Sequence, residues 1–273
     1  MRHAHLLALA LALPAPALAQ TPPPPTPAEA APAAAPRPDP SALLAEVDRE
    51  WPQRDAPGAI DRIRGRLAEA EKLAPDDYGV LWRQSRFYFW LADDPALPKG
   101  EKSKLGKVSW EYGDRASRAA PARVEGWNYA AAGMGNYALG IGIFTALRQG
   151  IEGKFKERLG KATQIDPKFE HGAIHTAWGR FWYELPWPKY SARKSRQALE
   201  DALRRNPDNV RARVYLADLY FKEDEPEKAH GELEKALANP PGRYDAPEER
   251  RWQDVARRML AANRQPAAKG ESP

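Results

Sequence analysis

Apolar positions recur along this chain at helical spacing, and five times they close on the same punctuation: leucine (once glycine), alanine three residues on, and proline five beyond the alanine. The copies are Leu67, Ala70, Pro75; Gly113, Ala116, Pro121; Leu159, Ala162, Pro167; Leu199, Ala202, Pro207; and Leu233, Ala236, Pro241. Residues three apart share a helix face, and proline cannot continue the hydrogen-bond ladder, so each copy predicts a helix end followed by a bend. Successive prolines are 46, 46, 40 and 34 residues apart. Recurrence on this scale predicts stacked helical hairpins, because each hairpin hides its apolar face only against its neighbours.

The last unit is the clearest. With Val210 as position 1, Leu216 and Ala217 fall at 7 and 8, Tyr220 at 11, Ala229 at 20, Leu233 at 24, Ala236 at 27 and Pro241 at 32. Small residues at 8 and 20 let two helices approach, and larger ones at 7, 11 and 24 fill the flanks. On these residues Val210 to Arg243 resembles a tetratricopeptide repeat, a helix-turn-helix module of about 34 residues. Earlier units follow with insertions between their helices, at Leu91 to Lys102, Leu139 to Glu152 and Leu185 to Ser191. Ser85 and Tyr88 take positions 8 and 11 in the first inserted unit, and Trp127 and Ala131 take 4 and 8 in the second. The third fits after a two-residue shift that sets Trp178, Gly179 and Trp182 at 7, 8 and 11, which predicts a longer turn after Pro167.

A first hairpin is predicted from Ser41, as a cap, through Trp51, and from Pro57 through Leu73. A last helix opens at Pro247, with Glu248 and Glu249 in its first turn and Trp252, Val255, Ala256, Met259 and Leu260 on one face. Arg251, Asp254, Arg257 and Arg258 make its other face polar, as the free end of a solenoid requires. The resemblance implies an all-α fold: a right-handed tetratricopeptide-like α-solenoid of about five helical hairpins over residues 41–262, with a C-terminal capping helix.

Two narrower resemblances rest on Ala146 to Leu159 and on Trp178 to Trp187, with its Leu-Pro-Trp turn. These segments are similar to the helical repeats of the regulator of microtubule dynamics family. They also resemble the T-component of TRAP transporters, a periplasmic helical-repeat protein, and that likeness implies a solute-binding protein as partner.

Composition adds a destination. Met1 to Ala19 starts with Arg2, continues through an apolar run from Leu6 to Leu13 and ends on a small-residue box at Ala17 to Ala19, which predicts a signal peptide cleaved near Ala19 and a periplasmic or secreted protein. Residues 20–40 are nearly all proline, alanine and threonine and read as an extended disordered linker, and residues 263–273 read as a disordered tail. With no cysteine, the chain has no disulfide framework, thiolate metal site or lipidated cysteine. The formal charge of +5 falls to +4 without Arg2 and is spread through both halves, which argues against a nucleic-acid partner. Gly126 to Leu147 lacks any charged residue, but Asn128, Asn136, Thr145 and five glycines make it a buried helical region rather than an integral membrane segment.

Candidate chemistry is sparse. His171 and His175 have the spacing of a metal-binding pair on a predicted helix, yet no glutamate of a zinc-protease motif lies between them. Glycines 133, 135, 140 and 142 have no strand before them and the wrong spacing for a dinucleotide loop, and so predict close helix packing or a kink. No Gly-x-Ser-x-Gly or cysteine nucleophile occurs. The expectation is a non-enzymatic protein with no catalytic, metal or cofactor site. First-helix positions 2, 5, 9, 12 and 13 of tetratricopeptide units line the concave face, and this register puts Arg86, Asn128, Arg180 and Arg211 there for polar recognition, with Trp82, Tyr183 and Phe221 for apolar contact. Such a groove suits a protein or peptide partner, a carboxylate or an extended backbone included. The alternative is a transport accessory that holds a small hydrophobic or anionic ligand between Trp127 to Phe144 and the Trp178 to Trp187 cluster.

Overall fold

The computed structural model describes residues 39–238 and 240–263; the signal peptide, all but the last two residues of the linker, and the tail beyond 263 lie outside them. The described residues form α-helices and short 3₁₀ turns with no strand. Five hairpins follow in order: α1 (Ser41–Glu50) with α2 (Ala59–Leu73), α3 (Tyr78–Ala92) with α4 (Lys99–Ala119), α5 (Val124–Ile141) with α7 (Ile151–Ile165) across the short α6 (Ile143–Arg148), α8 (Ala173–Glu184) with α9 (Ala192–Arg205), and α10 (Val210–Lys222) with α11 (Pro226–Ala238). The single helix α12 (Ala246–Ala262) follows.

All five signature prolines stand in the bends between one hairpin and the next element, and the local chemistry explains why. In four copies the residue before the proline donates its N–H to the carbonyl of the signature alanine: Ala74 to Ala70, Ala120 to Ala116, Asp166 to Ala162 and Asn206 to Ala202, at 2.9–3.0 Å. That is the last helical hydrogen bond, because the next residue has no N–H. Proline also pushes its predecessor out of helical geometry. Ala74, Ala120, Asp166 and Asn206 accordingly have φ of −145°, −143°, −147° and −140°. The signature leucines and alanines are sealed in the core at no more than 1% exposure.

The inserted length lies partly in helix, contrary to the expectation of loops alone: α4 has 21 residues and α5 has 18. The two run backbone to backbone past glycines on both, and a β-carbon on Gly133 would meet the Trp110 nitrogen at 2.6 Å. Gly142, at φ 88°, breaks α5 from α6. Among the described residues no helix is long and apolar enough to cross a membrane.

The longer turn after Pro167 is a 3₁₀ segment, Phe169–Gly172, in which Glu170, His171 and Gly172 have φ of 44°, 53° and 101°. Glu170 and His171, as non-glycine residues in the left-handed region, cost conformational energy, and with Gly172 they turn the chain before α8 begins at Ala173. Other boundaries differ in detail. Pro40, not Ser41, occupies the first cap, while Asp39 accepts from the Ser41 N–H at 2.9 Å. Trp51 belongs to a separate 3₁₀ turn, and α2 opens two residues after Pro57, on Gly58 at φ 72°.

The end of the solenoid is not free. Helix α12 and the residue before it return to the first two hairpins: Arg54 donates to both oxygens of Asp245 at 2.7 Å, and Arg250 donates to Asp55 at 2.6 Å. Arg251 stacks 3.3 Å from the Trp90 ring centroid and donates to the Trp90 carbonyl at 2.8 Å. Arg251, read from sequence as part of a solvated face, is thus a seam residue, whereas Asp254, Arg257 and Arg258 stay on the outer face. The superhelix closes on itself across its concave side.

Candidate functional site: a concave cavity

Closure turns the concave face into a cavity of about 550 Å³ walled by α3, α5, α8, α10 and the start of α12. Helix α5 contributes Asn128, Ala132, Gly135, Asn136 and Leu139, one face at spacings of three and four. Helix α8 adds Thr176, Ala177, Arg180, Phe181 and Glu184, and α10 adds Arg211 and Tyr215. One end is apolar, with Ile143, Leu147, Ile151, Phe155 and Leu185 in the wall. The other holds Arg86, Glu170, His171, Tyr244, Asp245 and Glu248.

Of the residues singled out from sequence, Arg86, Asn128, Arg180 and Arg211 line this cavity, and Trp82, Tyr183 and Phe221 do not. Trp82 lies beneath the guanidinium groups of Arg83 and Arg86, at 4.3 and 4.7 Å, and stacks on Tyr129. Tyr183 is covered by Arg180 at 4.5 Å and Lys222 at 4.3 Å. Phe221 packs in the C-terminal core, edge-on to His230.

The arginines are already engaged. Arg86 donates to Asp48 at 3.0 Å between the rings of Trp51 and Trp82. Arg180 pairs with Asp218 and with Glu184, both at 2.5 Å. Arg211 reaches Asp93 at 2.6 Å and Glu248 at 3.0 Å. Burial works against the charge on Arg211, but Asp93 and Glu248 outweigh it and raise its pKa. Burial also pushes the Tyr215 hydroxyl up to about 12.

Carboxylates outnumber arginines on the wall. Its arginines are Arg86, Arg180 and Arg211, against the carboxylates Asp93, Glu152, Glu170, Glu184, Asp208, Asp245, Glu248 and Glu249. The guanidinium series that suggested carboxylate recognition is a set of internal ties. Glu170, Asp93, Asp245 and Glu248 escaped the repeat register because they lie in bends or on the last helix. The two-residue slip after Pro167 was the signal that something other than a standard turn stood at Glu170.

The histidine pair does not share a helix face. His171 is in the left-handed segment before α8, exposed, with its ring 4.6 Å from that of Tyr244. His175 is on α8 with Nε2 buried and unpartnered, and burial, helped by Arg205 and Arg204, lowers its pKa to about 4. Among the described residues no group of three or more histidine, cysteine, aspartate or glutamate side chains could hold a metal ion.

Residues 192–247 match the family model described as tetratricopeptide repeat. Among curated proteins none matches the sequence. Among solved structures, TTC0263, a thermophilic TPR protein of Thermus thermophilus, is similar with a TM-score of 0.61 and 18% identity, over 82% of this chain and 100% of that one. PilF of Pseudomonas aeruginosa is similar with a TM-score of 0.50 and 14% identity, over 82% of this chain and 92% of that one. The fold is therefore that of a tetratricopeptide-type α-solenoid, and its repeat is recognisable in the sequence itself over residues 192–247.

Proposed function

We propose that this chain is an exported, non-enzymatic adaptor that receives a segment of a partner protein in the concave cavity of its solenoid. The observation that carries the reading is the cavity itself: about 550 Å³, polar at one end and apolar at the other, on the face that helical solenoids use as a binding surface. Export rests on the signal-like composition of Met1 to Ala19. A photo-crosslinking side chain at Ala132, on the cavity wall, should join the protein to a partner chain in its host. The same group at the exposed Lys161 should not. Equal crosslinking from both positions, or none from Ala132, sinks the proposal.

A second reading, the TRAP-type transport accessory, is favoured by the size of the cavity. A volume of this size falls in the range of small-molecule pockets, and Ile143, Leu147, Ile151 and Phe155 make part of the wall apolar. Native mass spectrometry of protein purified from its host separates the two. A retained small molecule supports the accessory, and an empty protein that captures a chain supports the adaptor.

A further inference from the structure

We propose that Glu170 is a cation-binding position in this cavity, and that the segment received carries a lysine or arginine four or more residues from a bulky apolar side chain. The inference rests on the adaptor reading and adds the chemistry of what is bound.

The first observation is how the wall carboxylates are satisfied. Asp93 and Glu248 meet Arg211, Glu184 meets Arg180, and Asp245 meets Arg54. Glu152 is held by Lys156 and Lys189, Asp208 by Arg243, and Glu249 by the N–H groups of Gly242, Tyr244 and Asp245. Glu170 differs from all of these. Among the described residues its one partner is the hydroxyl of Tyr129, a neutral donor that occupies one of its two oxygens. Its side chain is open to the lumen, and Arg86, the nearest cation in electrostatic terms, is committed to Asp48. Burial of its carboxyl raises Glu170 above the usual carboxylate range, against the pull of Tyr129 and Arg86, and Glu248 and Asp245 add to the rise. An incoming ammonium or guanidinium would reverse that.

The second observation is independent of charge. Asn128 and Asn136 line the cavity at 6% and 5% exposure, and neither side-chain amide has a hydrogen-bond partner among the described residues. Both residues are more than nine-tenths buried and line the cavity, so a bound molecule can meet two uncommitted amides on one wall. They stand eight residues apart on one face of α5, about 12 Å along the axis. Asn128 adjoins Tyr129, which holds Glu170, so the first amide is at the acidic end. Past Asn136 the wall is Leu139, Ile143, Leu147 and Phe155. An extended chain advances ~3.3–3.6 Å per residue, so the two amides alone span three to four residues, and a basic side chain at Glu170 and an apolar one beyond Asn136 are four or more residues apart. The backbone between them faces the two amides.

The test uses blocked nonapeptides bearing lysine, arginine, norleucine or glutamate at one position and leucine or serine four residues on, titrated against the full chain, with n-octylammonium and spermidine as small cations. Lysine and arginine peptides with leucine should bind at least ~10-fold tighter than their norleucine or glutamate counterparts, and Glu170→Gln should remove that preference. The peptide comparison on the unaltered protein decides the matter even where Glu170→Gln fails to fold. Glutamate peptides that bind as well as lysine ones overturn the cation site and leave the adaptor reading standing. Binding of n-octylammonium alone, lost in Glu170→Gln, keeps the cation site and overturns the adaptor. Retention of none of these probes overturns the proposal outright.

Discussion

Gly113 lies so close to Ala130 that a β-carbon on the glycine would stand 2.5 Å from the Ala130 backbone nitrogen. This is the one copy of the repeat signature in which leucine is missing, and the contact is the reason. Helices α4 and α5 touch through their backbones, and Gly106 and Gly126 are pinched in the same way. Restoring the repeat's usual residue with Gly113→Leu should therefore destabilise the protein, by about 3 kcal/mol or more, because the overpacking falls on backbone that cannot yield. Gly65→Ala, on the exposed side of α2 with nothing near its β-carbon, should instead stabilise by about 0.5–1 kcal/mol. Urea midpoints of the two variants check the contrast, and a stabilised Gly113→Leu would refute it.

The hairpins were legible because they are local: an alanine carbonyl, an extended residue and a proline decide each bend within a few positions. The first-helix register was legible for the same reason, and it puts Asn128, Ala132, Asn136 and Arg180 in the cavity wall. The seam was not. Arg54 and Asp245 are 191 positions apart, and a charged residue that ties two ends of a chain looks, in sequence, like one that faces water. The engagement of the cavity's arginines was missed by the same route, since nothing local tells an arginine spent on Asp93 from one awaiting a ligand.

Ser85 and Ser109 bridge α3 and α4 reciprocally. Ser85 Oγ donates to the Ser109 carbonyl at 2.7 Å and Ser109 Oγ donates to the Ser85 carbonyl at 2.9 Å, both side chains fully buried. Ser85→Ala should cost only about 0.5–1.5 kcal/mol, since it removes one hydrogen bond and leaves the return bond in place. Ser85→Leu should cost more, because position 8 admits only a small side chain between the helices. Chemical denaturation of the two variants orders them.

Acid should weaken the fold through His175 and Glu249 in separate windows. The His175 pKa is lowered to about 4 in the folded chain, so between about 6.5 and 4 the unfolded chain binds the extra proton and stability falls with pH. Partial exposure limits the effect to roughly 1 kcal/mol. Burial opposes the Glu249 charge, but its backbone donors outweigh that and hold its carboxyl below the usual range, so its contribution is present above the unfolded carboxylate pKa and disappears at lower pH. His175→Gln should flatten the melting temperature between about pH 7 and 5 and leave the steeper fall below about pH 4.5. An unchanged slope above about pH 5 would contradict the assignment.

Removal of either seam partner should have unequal effects. Arg54 is 2% exposed and lies between the Trp51 and Trp90 rings, at 4.7 and 4.0 Å, whereas the Asp245 side chain is 40% exposed. Asp245→Ala leaves a buried guanidinium without its anion, which costs about 2–3 kcal/mol once the solvent access of the aspartate is allowed for. Arg54→Met keeps the apolar stem between the two rings and returns Asp245 to water, so it should cost about 1 kcal/mol. A double variant should cost about 1 kcal/mol more than Arg54→Met alone, and less than the sum of the two single variants, because Asp245 also caps α12 by accepting the Glu248 N–H. In either single variant, hydrogen exchange should accelerate at Trp51 to Ala56 and at Asp245 to Arg251 together, while α10 and α11 stay protected. Exchange that rises at only one of these segments would mean that the seam is two separate contacts rather than one closure.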